Sequence, residues 1–293
     1  MKILIAGAGA IGSLFGGLLS KDNEVTLWGR EKHIRAVRQN GLHISGTTEL
    51  TAHPSTISAP SGSYELVIVT VKCYQTRSIA EELSGHIDAE HVLSLQNGIG
   101  NTEIIQSIMG APVITGVTTH GAEYLGPGMV RHTGQGRTFI GTLDMTQDLS
   151  SFLEEISDTF ASSSINTVIA ENMDKVIWMK SIVNTCINVL STIDGVRNGE
   201  LAEDSRISPL CKESVEIAKA MEVNITLEES IQEVESVINE TSNNRSSMLQ
   251  DINAGKKTEI DCITGVLLQH AIQKGIDAKM MKEVYKKVKS LEK

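Results

Sequence analysis

Lys180, Asn184 and Asn188 recur at i, i+4 and i+8, a spacing that puts all three on one helix face. Around them stand Trp178, Met179, Ile182, Val183, Ile187, Val189 and Leu190, in a helical pattern over residues 173–193. A lysine beside buried apolar residues has its charged form disfavoured, which lowers its pKa from about 10.4. Such an amine is a usable general acid near neutral pH. A plain solvent face is the alternative, but that would usually mix Glu with Lys, whereas this stripe is narrow and holds amides and one amine.

A second constellation is Gly7-Ala8-Gly9-Ala10-Ile11-Gly12, which reads G-x-G-x-x-G between an apolar strand pattern and a helix pattern. Gly7 permits the tight turn, Gly9 lets the backbone approach a pyrophosphate, and Gly12 lets the helix pack on the strand. Exposed N–H groups at the helix start attract phosphate charge. The next strand ends Leu27-Trp28-Gly29-Arg30, without the carboxylate that holds a ribose 2′-OH in NAD enzymes. Arg30, with Lys72 as a second cation, favours the 2′-phosphate of NADP. In the alternative, Glu31 takes the ribose and NAD is used.

Two further segments carry polar groups. Leu95-Gln96-Asn97-Gly98 follows a strand pattern, so Asn97 falls where a parallel sheet places its ligands, or else in an ordinary N-G turn. Near the C-terminus, Asn244-Arg245-Ser246-Ser247 precedes Thr258-Glu259-Ile260-Asp261. Ser247 or Thr258 could cap a helix, and Glu259 could complement its dipole. A functional Glu259 would instead pair with Lys180 or a substrate hydroxyl. His120 and His132 show no partner and read as loop histidines.

These residues need elements to hold them. Strands are expected at residues 3–6, 66–71, 92–95 and 113–119 and at Glu24–Trp28, with helices at Thr76–Ser84 and Asn101–Met109. That alternation implies βαβ units and a parallel sheet. Residues 121–150 suggest extra strands closing the first domain. After the helix Ser150–Ser162 and a strand at 165–168, strand signals nearly vanish. Helical patterns follow at 173–193, 207–221, 227–239 and 260–274 and at Lys279–Leu291. We therefore expect an α/β fold in two domains: residues 1–168 a Rossmann-like dinucleotide-binding domain, residues 169–293 an all-helical substrate and catalytic domain.

Composition narrows the function. The 293 residues carry 26 Lys+Arg against 36 Asp+Glu, a net charge of −10, which argues against a broad nucleic-acid surface. A small anionic ligand must then find cations placed locally. The four cysteines, at 73, 186, 211 and 262, lack metal-site spacing, so no metal is expected. As scattered free thiols they fit a reducing compartment. Residues 3–19 are apolar apart from Ser13, but five glycines and a poor cleavage site argue against a signal peptide or membrane span. A cytoplasmic protein is expected.

Taken in order, Gly7 to Gly12, Val71-Lys72, Gln96-Asn97-Gly98, Gly116-Val117-Thr118-Thr119, Trp178-Met179-Lys180 with Asn184 and Asn188, residues 244–251 and Thr258-Glu259-Ile260-Asp261 resemble the 2-dehydropantoate 2-reductase (ketopantoate reductase) family. The resemblance covers nearly the whole chain. It implies a Rossmann domain, a helical domain like the C-terminal domain of 6-phosphogluconate dehydrogenase, and an active site between them. It implies NADPH-dependent reduction of 2-dehydropantoate to (R)-pantoate in pantothenate and coenzyme A biosynthesis, with NADH as the other possible cofactor. Lys180 falls on the lysine that protonates the developing alkoxide, and Glu259 on the acid that contacts substrate and positions that lysine. Asn184, Asn188, Asn244 and Ser247 fall on substrate-binding positions, Asn97 near nicotinamide and substrate, and Arg30 and Lys72 on the 2′-phosphate site. Alternatives are a reductase of another 2-keto or 3-hydroxy acid, or a non-catalytic dinucleotide sensor. The expected partner is a small keto acid, with no nucleic acid and no membrane; a homodimer stays open.

Overall fold

The computed structural model describes residues 1–143 and 149–292; residues 144–148, inside the stretch expected to add strands, lie outside that description. The chain forms two compact units, Met1–Gln96 with Gly100–Met173, and Asp174–Lys293 with Asn97–Ile99. In chain order the first unit holds β1 Lys2–Ala6, α1 Ala10–Leu19, β2 Glu24–Trp28, α2 Glu31–Asn40, β3 Leu42–Gly46, β4 Leu50–Ala52, β5 Ser55–Ile57 and β6 Gly62–Val69. It continues with α3 Thr76–Ser84, β7 Ile87–Ser94, α4 Asn101–Met109, β8 Val113–Thr118, β9 Gly121–Gly126, β10 Met129–Gly134, β11 Thr138–Gly141, α5 Ser150–Ser162 and β12 Thr167–Ile169.

Among the described residues, eight strands form the main sheet in the order β12-β11-β8-β7-β6-β1-β2-β5. From β8 to β5 every neighbouring pair is parallel, and β11 joins antiparallel to β8. Counting only the parallel strands, the order is 3-2-1-4-5-6, that of the Rossmann fold, with the switch point between β1 and β6. The run at residues 66–71 is thus the fourth parallel strand, since the three-residue β5 precedes it. Leu66 to Val69 are essentially solvent-free, which explains their unbroken apolar character. Alternate residues face opposite ways: Ile3, Ile5, Leu66 and Ile68 pack with α1 and α5, Leu4, Ala6, Val67 and Val69 with α3 and α4. The strands of the 121–150 stretch divide. β11 enters the main sheet, whereas β9 and β10 join β3 and β4 in a second sheet of order β4-β3-β10-β9.

The second unit is helical: α6 Met173–Asp194, α7 Ile207–Ala220, α8 Leu227–Glu240, α9 Ser247–Asn253, α10 Thr264–Lys274 and α11 Lys279–Leu291. The helix expected from residue 260 starts at Thr264, because residues 260–263 form a turn. α6 is central. Ile182, Val189 and Leu190 are fully buried, and each such aliphatic side chain stabilises the fold by about 1.5–3 kcal/mol relative to exposure. Among the described residues α6 alone is long and apolar enough to cross a membrane, and 72% of its most apolar window is buried within the protein. The Cys186 and Cys211 thiols are free and 3.6 Å apart. Cys73 and Cys262 are not free thiols, which corrects the expectation for that pair.

Candidate active site

The glycine turn sits at the switch point. Gly7, at φ +112°, and Ala8 both donate backbone N–H bonds to the Trp28 carbonyl, at 2.9 and 3.0 Å. A Cβ on Gly12 would stand 2.2 Å from the Gly7 oxygen and 2.5 Å from Thr70 Oγ1, so only glycine lets α1 come this close. Thr70, just past β6, donates its hydroxyl to the Gly7 oxygen at 2.7 Å and so ties the two strands across the switch point. Gly9 differs: a Cβ there would meet nothing nearer than 3.9 Å. It opens α1 with no side-chain cap and no acid in the first turn. The N–H groups of Ala10, Ile11 and Gly12 therefore have no acceptor among the described residues. A turn whose middle glycine faces open space, beside uncapped helix N–H groups, fits a pyrophosphate.

Arg30 is the exposed N-cap of α2, just beyond β2. Its charge reaches Tyr124, whose phenol is raised by burial and lowered in part by Arg30. Glu31, the alternative ribose ligand, pairs with Arg35 at 3.3 Å on the same helix. Lys72 is half-buried and caps a short 3-10 turn, Cys73–Gln75. One carboxylate at the β2 tip is thus already engaged, and two cations stand at the strand ends.

In the second unit α6 presents Lys180, Asn184 and Asn188. Asn184 and Asn188 are 6% and 9% exposed, and Lys180 is half-buried, so this stripe is not the wet side of the helix. Among the described residues none of the three side chains has a hydrogen-bond or ion-pair partner. Burial disfavours the Lys180 ammonium and pulls its pKa below the ordinary lysine value; the Glu233 carboxylate opposes this. Lys180 is not paired with Glu259. Instead Glu259 Oε2 accepts from Asn97 Nδ2 at 3.3 Å. Gly98, at φ +94°, lets that loop press on the 259–263 turn, where its Cβ would stand 2.5 Å from the Cys262 oxygen. Ile99 N–H donates to that same oxygen at 3.3 Å.

The helix caps differ from expectation. α9 is capped by Ser246, not Ser247: Ser246 Oγ accepts from Leu249 N–H at 3.2 Å and from Ser191 Oγ at 2.8 Å. That frees Ser247, which is exposed in the first turn. Asn244 is half-buried and its carbonyl accepts from Asn198 N–H at 3.0 Å. Thr258 caps no helix; its N–H and hydroxyl both donate to Glu292 Oε1.

His120 does lie in the loop between β8 and β9, but the expectation that it and His132 lack partners, and that His132 is a loop residue, is corrected. Both are buried, His132 lies in β10, and His120 Nδ1 is 3.2 Å from His132 Nε2. Gly136 N–H can only donate, so His120 Nδ1 is an acceptor and its proton sits on Nε2, a buried atom without a partner. Burial, then the neighbouring His132, push the His120 pKa down to about 4. His33 is also buried, between Gly128 N–H and Ser13 Oγ, and burial lowers its pKa. These histidines hold the second sheet against α1 and were not singled out as a group by their sequence positions. Thr70 and Glu292 were likewise missed, since the Thr70 contact with Gly7 and the Glu292 contact with Thr258 are both distant in sequence.

A switch-point glycine turn open to a dinucleotide, and an amine desolvated among amides, define the class as dinucleotide-dependent oxidoreductases. The family described as "Ketopantoate reductase PanE/ApbA" matches residues 3–145, and "Ketopantoate reductase PanE/ApbA C terminal" matches residues 172–292. The chain belongs to the ketopantoate reductase family. A 2-dehydropantoate 2-reductase from Pyrococcus horikoshii is 40% identical over 276 residues, 92% of this chain and 91% of its own. One from Bacillus subtilis is 30% identical, covering 100% of this chain and 98% of its own. D-mandelate dehydrogenase, solved with NADH and anilino(oxo)acetate, superposes with a TM-score of 0.93 at 28% identity, covering 100% of this chain and 98% of its own. A ketopantoate reductase from Ralstonia eutropha superposes at 0.90 and 27%, with the same coverage.

Proposed function

We propose that this chain reduces 2-dehydropantoate to (R)-pantoate with NADPH, as a cytoplasmic step of pantothenate and coenzyme A biosynthesis. The observation that carries the reading is the Lys180 ammonium, desolvated, unpartnered, and on one helix face with the Asn184 and Asn188 amides. The reduced nicotinamide, when bound, supplies a hydride to the C2 carbonyl carbon. As negative charge grows on the carbonyl oxygen, Lys180 hydrogen-bonds that oxygen and transfers its proton to it. Asn184 and Asn188 hold the substrate's polar groups with amides that make no bond of their own. Glu259 takes a substrate hydroxyl, oriented by Asn97, and Asn244 and Ser247 hold the carboxylate end. The main chain from Gly7 to Gly12 holds the pyrophosphate, and Arg30 and Lys72 hold the 2′-phosphate.

A second reading is an NADH-dependent reductase of an aromatic 2-keto acid, favoured by the close superposition on D-mandelate dehydrogenase. One experiment separates the two. Loss of reduced-nicotinamide absorbance is followed with 2-dehydropantoate or phenylglyoxylate, and with NADPH or NADH. The highest kcat/KM with 2-dehydropantoate and NADPH supports the first reading; the highest with phenylglyoxylate and NADH replaces it.

A further inference from the structure

The turn that carries Glu259 is clamped from the end of the chain. Tyr285, Lys289 and Glu292 recur at i, i+4 and i+7, so the last turns of α11 and its C-cap, Glu292, present them together. Glu292 Oε1 accepts from Thr258 N–H at 2.9 Å and from Thr258 Oγ1 at 2.7 Å. Lys289 Nζ bridges Glu292 Oε2 and Asp261 Oδ2, the latter at 3.2 Å, and Tyr285 donates its hydroxyl to Asp261 Oδ1 at 2.7 Å. Thr258 and Asp261, on either side of Glu259, are therefore held by side chains of α11 and of its C-cap residue, Glu292. Within the turn, Cys262 and Ile263 N–H both donate to the Glu259 carbonyl at 3.1 Å. The same turn also meets Asn97 and Ile99.

The Glu292 side chain is only 12% exposed. Burial pushes its carboxyl up, but the Lys289 ammonium and the two Thr258 donations outweigh this and hold it below the usual carboxylate range. A carboxylate kept ionised in a partly buried position, with two donors from one residue on a single oxygen, is a strong local anchor. Nothing in the packing of α11 requires it, since Met281, Val284 and Val288 already bury the apolar face of that helix.

We propose that Glu292, backed by Lys289 and Tyr285, is a positioning residue for the reduction: it fixes the 258–261 turn and thereby the Glu259 carboxylate against Asn97. This rests on Glu259 as the substrate-contacting group proposed above. Losing the Glu292 acceptor leaves the Thr258 N–H and hydroxyl unsatisfied and lets the turn relax. Misplacement of a contacting group by about 1 Å costs up to about a hundredfold in rate.

The test is steady-state kinetics of purified full-length variants, at a temperature well below each melting transition. Glu292→Ala is expected to lower kcat about tenfold with the KM for NADPH unchanged. Glu292→Gln keeps an acceptor oxygen for Thr258 and should stay within about threefold of the parent kcat. In a Glu259→Gln background, Glu292→Ala should cost nothing further, since the group it positions is already gone. Parental kcat in Glu292→Ala overturns the proposal, and so does an undiminished loss in the Glu259→Gln background. If Glu292→Ala does not fold, Thr258→Val carries the same test, and parental kcat there overturns it. Parental kcat in Glu259→Gln alone is a different failure: it removes Glu259 from the reaction, and the proposal with it.

Discussion

Asn97 and Glu259 lie 162 positions apart in sequence, yet Asn97 Nδ2 donates to Glu259 Oε2 at 3.3 Å. The bond joins the loop after β7 to the turn before α10 and sets an amide donor against a carboxylate. Asn97→Asp would replace that donor by a second negative charge. We expect kcat/KM for the keto acid to fall by about 10- to 100-fold, because a hydrogen bond to a charged group is lost and a repulsion replaces it. Unchanged steady-state kinetics would show that the pair does not meet substrate.

The glycine turn separates folding from binding. Gly12→Ala puts a methyl group 2.2 Å from the Gly7 oxygen, so its thermal midpoint should drop by several degrees as α1 is forced off β1. Gly9→Ala meets open space and should melt like the parent. It should nonetheless raise the KM for the dinucleotide at least about tenfold, because its methyl group occupies the approach to the pyrophosphate. Equal cofactor affinity in Gly9→Ala would place the phosphates elsewhere.

Arg30→Ala tests the choice of dinucleotide. A guanidinium on a 2′-phosphate contributes about 1.5–3 kcal/mol, so the KM for NADPH should rise by about 10- to 100-fold while that for NADH barely changes. A matched rise for both cofactors would mean that Arg30 does not read the 2′ position.

Much of this architecture was legible because burial leaves a pattern. Residues 66–71 read as a two-face-buried strand, and Leu66 to Val69 are one. The second sheet was not legible, because β4 has three residues and β9 no fully buried one, and neither was β5, the three-residue end strand of the main sheet. α2, EKHIRAVRQN, buries only His33, Ile34 and Val37, and its charged remainder hid the helix. In the candidate site, the Lys180 stripe was readable because its spacing is local. The partners of Glu259, His120 and Thr258 were not, because each is brought in by tertiary packing. Thr258 looked like a helix cap, but Glu292 takes its hydroxyl.

The buried histidines give the fold a pH window of its own. His120 titrates at about 4 in the folded chain against about 6.5 when unfolded, so the unfolded state takes up the proton first. Stability is then fully present above about pH 6.5 and declines as pH falls towards about 4, by about 3 kcal/mol for this one group. His33 and His132, also lowered by burial, add in the same direction. Urea midpoints measured across this window should fall with pH, and less steeply in His120→Phe. A flat profile would contradict a neutral buried pair.

The central claim is that the Lys180 ammonium is the proton donor, and kcat for Lys180→Ala measured across pH tests it most directly. The parent should lose activity as pH rises through the lowered Lys180 pKa, at a pH below the ordinary lysine value of about 10.4, because reduction needs the protonated amine. Lys180→Ala should turn over about 10²- to 10⁴-fold more slowly and lack that alkaline limb. Near-parental turnover with the same limb would assign the acid to another residue.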